Sequence, residues 1–153
     1  MIVKVLSENT ASSEKFGCEH GLSLYIETDT NKILFDTGAS GLFAENAKKL
    51  GVDLTKVNLS VLSHGHYDHG GGLKTFLSIN SIAKIYVQKR AFEKHYANRP
   101  GGIKEYIGLD ESLLPNERFV FCGERFTIDE ELELFSGVKA ERLVPSGNTA
   151  FME

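Results

Sequence analysis

The sequence predicts an α/β fold with a mixed sheet, and three observations carry that prediction. Segments with strand periodicity alternate with segments bearing a helical apolar stripe. Val57 to Leu62 is a nearly continuous apolar run, as expected of a strand buried on both faces. A group of histidines begins just beyond that run, at the strand's C-terminal end.

Along the chain, Ile2 to Leu6 reads as the first strand, and a polar loop runs on through Gly17 to Gly21. Leu22, Leu24 and Ile26 alternate with Ser23, Tyr25 and Glu27, the period of a half-buried strand. Asp29-Thr30-Asn31-Lys32 has turn chemistry and Ile33-Leu34-Phe35 resumes the strand, which predicts a hairpin. A helix starts at Ser40 or Gly41, carries Phe43, Ala47 and Leu50 on one face, and stops at Gly51. After the strand ending at Leu62, Gly70 to Asn80 reads as a helix, Lys84 to Gln88 as a strand, and Ala91 to Ala97 as another helix. Arg99-Pro100-Gly101-Gly102 is a loop, and Arg118–Cys122 and Phe126–Phe135 read as antiparallel strands around Gly123. Leu143 to Asn148 has loop character and no closing helix comes after it. Residues 1–153 therefore read as a single domain that is incomplete at its C-terminal side.

Bulk properties exclude several classes. A hydrophobic content of 41% with 25% charged residues is that of a globular chain rather than a disordered one. A net charge of −4 argues against nucleic acid as a partner, because phosphate binding needs clustered Lys and Arg. Lys89, Arg90 and Lys94 form the densest basic stretch and read as a solvated face. No apolar run approaches membrane-spanning length, and Met1 to Leu6 is too short for a signal peptide, so a cytoplasmic protein is expected. Cys18 and Cys122 lack metal or redox spacing and are read as reduced thiols.

Three of the five histidines fall within His64-Gly65-His66-Tyr67-Asp68-His69. Imidazole and carboxylate are the ligand types that suit zinc and similar divalent metals. In an extended loop His64 and His66 project to one side and can reach one metal, while Asp68 and His69, a turn further on, can face a second. The bland alternative is a His-rich surface loop without a ligand role.

His64-x-His66-x-Asp68-His69, with Ser63 before it and Gly70-Gly71-Gly72-Leu73 after it, resembles the HxHxDH motif of the metallo-β-lactamase superfamily. Phe35-Asp36-Thr37-Gly38 resembles the family's earlier Asp motif. Glu19-His20-Gly21-Leu22-Ser23 resembles the branch containing the archaeal enzyme that joins a dihydropterin to a ribofuranosyl-aminobenzene phosphate. The resemblance implies an αββα sandwich of which this chain is the N-terminal α/β half. It also implies a metal-dependent hydrolase, or a related enzyme, that uses a metal-activated water. His64, His66, Asp68 and His69 would be the ligands of up to two zinc ions, with iron or manganese as alternatives. Asp68 would also orient the water. Asp36 would support a ligand histidine, unless it is only a turn-forming residue before Gly38. His66 stands where diiron flavoproteins of this fold carry Glu, which favours zinc.

Family members complete the site with a further histidine, a bridging Asp and a final histidine downstream. Only His95 lies downstream here, and it reads as a surface residue on the 91–97 helix. Metal affinity is therefore expected to be weaker than in a complete enzyme, and the protein to dimerise or to depend on a C-terminal half. A small-molecule substrate is expected. Arg99 and Lys104 in the loop from Asn98 to Gly108 could contact a phosphate on it, and a solvated loop explains them equally well. His20 either lines the pocket or is an ordinary polar loop residue. The competing reading is a non-catalytic module that keeps the fold and weak metal binding.

Overall fold

A computed structural model describes residues 1–138 and the backbone of residues 151 and 152. Its main sheet has six strands in the order β1 (Ile2–Ser7), β2 (Ser23–Glu27), β3 (Lys32–Phe35), β4 (Leu59–Leu62), β5 (Lys84–Gln88) and, further along the chain, β8 (Phe119–Cys122). The first two pairings are antiparallel; β3–β4, β4–β5 and β5–β8 are parallel, so the sheet is mixed. All four residues of β4 are buried, as its unbroken apolar run requires of a strand covered on both faces.

Between β3 and β4 runs α1 (Leu42–Lys49); between β4 and β5 run α2 (Tyr67–Gly70) and α3 (Leu73–Ile79). Phe43 and Ala47 of α1 and Leu73 and Phe76 of α3 are fully buried in one cluster with Leu34, Leu62, Ile85 and Val87 of the sheet. Each such Phe or Leu contributes roughly 1.5–3 kcal/mol by leaving water. The strand residues between these point the other way. Ile33, Leu59 and Val61 form a second cluster, against which Ile128, Leu132 and Leu134 pack from a small hairpin of β9 (Arg125–Thr127) and β10 (Glu133–Phe135). That hairpin is tied to the β2–β3 turn: Asn31 Nδ2 donates to Asp129 Oδ2 at 2.8 Å and Thr30 Oγ1 to Glu131 Oε2 at 2.7 Å.

A second hairpin, β6 (Tyr96–Arg99) with β7 (Ile103–Tyr106), comes after β5, and Phe151–Met152 adds a short strand, β11, to β6. Among the described residues no helix is long and apolar enough to cross a membrane. Both cysteines are free, Cys18 exposed and Cys122 buried.

Three expectations need correction. The helix expected over 70–80 is shorter: it forms as α3 over Leu73–Ile79, and the short α2 comes before it, with Gly71 and Gly72 between the two; a Cβ on Gly71 would stand 2.2 Å from the Ala39 carbonyl oxygen. The helix over 91–97 does not form. Ala91 and Phe92 lie in turns, and Tyr96 and Ala97 belong to β6, where pairing with β7 outweighs local helical preference. Arg118–Cys122 and Phe126–Phe135 are not partners. Cys122 ends a strand parallel to β5, and residues 126–135 fold back on themselves, with Arg125 and Glu133 paired across the hairpin. The expected loop over Leu143 to Asn148 lies outside the described residues.

Candidate metal centre

Parallel β3 and β4 end side by side, so their C-terminal extensions meet. Asp36 continues the pairing by donating its N–H to the Val61 carbonyl at 2.9 Å, and its side chain turns inward, fully buried. Its φ is +56°, a left-handed conformation that Asp tolerates better than most residues. The carboxylate accepts three hydrogen bonds. Ser63 N–H reaches Oδ1 at 2.7 Å, and Ser63 Oγ and His69 Nδ1 reach Oδ2, each at 2.7 Å. Since a carboxylate accepts, His69 Nδ1 carries a proton, and in the neutral form of the ring the lone pair is on Nε2. The His69 carbonyl in turn accepts from Thr37 N at 2.7 Å and from Thr37 Oγ1 at 3.1 Å, which fastens α2 to the end of β3.

The three motif imidazoles are gathered edge-on and tilted around His64. Ring centroids lie 4.2 Å apart for His64 and His69 and 4.5 Å apart for His64 and His66. Ser63 Oγ stands 2.9 Å from His64 Nδ1. Asp68 Oδ2 lies 3.6 Å from His69 Nε2 and 3.3 Å from His20 Nε2, so the loop carrying His20 reaches the carboxylate of the motif. That loop is docked by its backbone too, Leu22 N–H donating to the Asp68 carbonyl at 3.3 Å. Glu19 fixes its other end by accepting from Ala39 N–H at 3.1 Å and Ser40 Oγ at 2.6 Å.

Titration behaviour separates the rings. Burial, then the neighbouring His69 and His66, push His64 down to about 4, so it is neutral at pH 7. Burial and His95 also lower His66. Burial acts to lower His69 as well, but the hydrogen bond and charge of Asp36, with the charge of Asp68, outweigh it, and the net shift is upward.

His64, His66, Asp68, His69 and Asp36 thus lie close to one another at the ends of β3 and β4. Among the described residues, no three His, Cys, Asp or Glu side chains already stand in coordinating geometry. Several of these donors are instead engaged with one another and with His20 and Ser63. Arg99 is paired with Glu105 across the β6–β7 hairpin, while Lys104 is exposed on β7.

His95 is the residue that sequence reasoning misplaced. It lies on no helix and does not stand apart from the site. Its ring is edge-on to His66 at 5.4 Å between centroids, and its Nε2 is buried without a hydrogen-bond partner among the described residues. A signal existed: β5 is parallel to β4, so the segments leaving their C-terminal ends emerge at the same sheet edge.

A mixed sheet with its helices on one face, and imidazoles and carboxylates gathered at one edge, is the architecture of a known class. Residues 16–140 match the metallo-beta-lactamase superfamily, and the chain belongs to it. Within that superfamily it is 35% identical over 136 residues to an uncharacterized protein of Methanocaldococcus jannaschii, covering 86% of this chain and 51% of that protein. It is 33% identical over 108 residues to the 7,8-dihydropterin-6-methyl-4-(beta-D-ribofuranosyl)-aminobenzene-5'-phosphate synthase of the same organism, covering 64% of this chain and 36% of the synthase. The crystal structure of a metal-dependent hydrolase of the beta-lactamase superfamily superposes with a TM-score of 0.73 at 33% identity, over 97% of this chain and 52% of that one. A quorum-quenching N-acyl homoserine lactone lactonase, TM-score 0.53 at 21% identity over 74% of this chain and 48% of its own, shares the fold. The chain spans about half the length of the uncharacterized relative and of the hydrolase.

Proposed function

We propose that this chain carries the metal-holding half of a metal-dependent hydrolase, or a related enzyme, acting through an activated water. The observation that carries the reading is the cluster of His64, His66 and His69, whose successive rings lie within 4.5 Å, with Asp36 oriented onto His69 at 2.7 Å. By donor chemistry the residues fit divalent cations, zinc above all, with iron or manganese as alternatives. His64 and His66 serve one ion, Asp68 and His69 a second. Such a cation supplies Lewis acidity and makes water a nucleophile near neutral pH.

The protein's own groups prepare the site. His64 is held neutral by burial, which is the form that donates a lone pair. Asp36 holds the His69 Nδ1 proton, so Nε2 is the nitrogen that would be left to a cation, and the carboxylate raises the basicity of that ring. Asp68 Oδ2, 3.6 Å from His69 Nε2 and 3.3 Å from His20 Nε2, would share the second ion with His69 and orient the water. The substrate class is a small molecule; the relative named for an aminobenzene-5'-phosphate directs the search to phosphorylated compounds. Activity belongs to an assembled site, in a dimer or with further donors from a C-terminal half.

The absence of three side chains already at coordinating geometry among the described residues favours a second reading, a module that keeps the fold and binds metal weakly. Elemental analysis of the purified 153-residue chain and of His66→Ala, before and after dialysis against zinc, tests the metal centre itself. The proposal expects zinc, iron or manganese in the wild type and a loss of at least about tenfold in affinity in the variant. No transition metal in either protein after zinc dialysis sinks it. Hydrolysis of a chromogenic phosphate ester by the zinc-loaded wild type, absent from His66→Ala, would favour the enzyme over the module.

A further inference from the structure

Ser63 stands between Asp36 and His64, and the donors and acceptors there balance in one way. Its Oγ lies 2.7 Å from Asp36 Oδ2 and 2.9 Å from His64 Nδ1. A serine hydroxyl has a single proton and two lone pairs, and an ionised carboxylate can only accept. The proton goes to Asp36. Turning it to His64 instead would set a hydroxyl lone pair against a carboxylate oxygen at 2.7 Å, on a side chain that is fully buried. Ser63 Oγ then has only a lone pair to offer the ring. His64 Nδ1 must be the donor, which leaves the lone pair of the neutral imidazole on Nε2.

The hydroxyl is held in place at both ends. Ser63 N–H donates to Asp36 Oδ1 at 2.7 Å, so one carboxylate grips this residue by its backbone and its side chain. Asp36 is fixed in turn by its own N–H, which donates to the Val61 carbonyl at 2.9 Å. His69 Nδ1 lies 3.4 Å from the same Oγ but makes its shorter bond to Asp36 Oδ2, at 2.7 Å. Two imidazoles with centroids 4.2 Å apart therefore answer to one buried carboxylate, His69 directly and His64 through Ser63. The outcome is not what an imidazole adopts by default, since a free neutral histidine side chain in water favours the proton on Nε2. An alanine at 63 would keep the N–H bond to Asp36 and remove the only printed acceptor of the His64 Nδ1 proton.

We propose that Ser63 is a positioning residue that sets the tautomer of His64, relaying to it the orientation that Asp36 imposes on His69. The inference deepens the metal-centre reading, in which those two rings serve different ions. The relay itself is a property of the metal-free protein.

Long-range proton–nitrogen correlation NMR of the imidazole rings reads the tautomers directly in the metal-free full chain, at about pH 8, above the ordinary histidine range. His64→Gln assigns the His64 signals by their disappearance. In the wild type, His64 and His69 are both expected to show a protonated Nδ1 and a bare Nε2. In Ser63→Ala the His64 pattern is expected to invert, with Nε2 protonated in most molecules, while His69 keeps its own. Ser63→Thr, which retains the hydroxyl, is expected to restore the wild-type spectrum. If Ser63→Ala does not fold, Ser63→Cys, a weaker acceptor, takes its place with the same inversion expected. A wild-type His64 protonated at Nε2, or an Nδ1 proton that survives loss of the hydroxyl, overturns the proposal. The expected spectra in a wild type that takes up no zinc on dialysis tell instead against the metal-centre reading alone.

Discussion

The two flanks of the histidine cluster are built differently. On one flank Asp36, Ser63, Thr37 and His69 form a closed network in which a fully buried carboxylate receives three hydrogen bonds of 2.7 Å. On the other, His66 lies against His95, whose Nε2 has no hydrogen-bond partner among the described residues, and Asp68 is reached by His20, an imidazole 71% exposed. One flank is closed on itself. The other is more open to solvent, at His20. A metal site needs both: rigid support that fixes ring orientation, and donors that remain available to the ion.

Substitutions of decreasing effect test this difference. Asp36→Ala removes a buried acceptor from Ser63 N–H, Ser63 Oγ and His69 together. Stranding those donors is expected to cost about 3 kcal/mol in urea unfolding of the metal-free protein. A loss below about 1 kcal/mol would mean that the flank is not closed as described.

Next in size is a pH effect. His64 in the folded protein titrates near 4, below the ordinary 6.5 of an unfolded chain, so the unfolded chain takes up this proton first as pH falls. Stability from His64 is therefore whole above about pH 6.5 and is lost toward pH 4. His69 works in the opposite sense, since its raised value adds stability that is present at low pH and disappears as pH rises through it. Metal-free wild type is expected to lose about 1 kcal/mol more than His64→Gln between pH 7 and pH 5, after allowance for partial exposure. Parallel pH profiles for the two proteins would remove burial of His64 from the account.

The smallest change is His20→Ala. Its contact with Asp68 is largely in solvent, so the stability of the metal-free protein is expected to stay within about 0.5 kcal/mol of wild type in urea unfolding. A larger loss would show that the open flank is also structural.

Much of the centre was legible from residue types because the information is local. His64 to His69 lie within one short stretch, and β4 announces itself by an apolar run that needs no partner to be recognised. Asp36 was legible as a candidate only by resemblance; its role as acceptor for Ser63 and His69 depends on β3 and β4 being neighbours. His95 was missed because Ala91 to Ala97 has helical propensity locally, and what overrides it is pairing of Tyr96–Arg99 with Ile103–Tyr106. The hairpin from Arg125 to Phe135 was misread for the same reason, since which strand pairs with which is settled at a distance. Segment type is a property of a few neighbours, whereas adjacency is a property of the whole sheet.

Position 36 sets two conditions that pull apart. Its left-handed φ of +56° suits Gly or Asn best, yet its two oxygens must satisfy three donors, which neither of those residues can do. Asn would offer one oxygen and turn an amide N–H toward the protonated nitrogen of His69; Gly would offer nothing. Among sequences of this shape, one with Asn or Gly at that place has relaxed its turn and released the imidazole that Asp36 aims, so a single letter reports whether the chemistry has been given up while the scaffold persists.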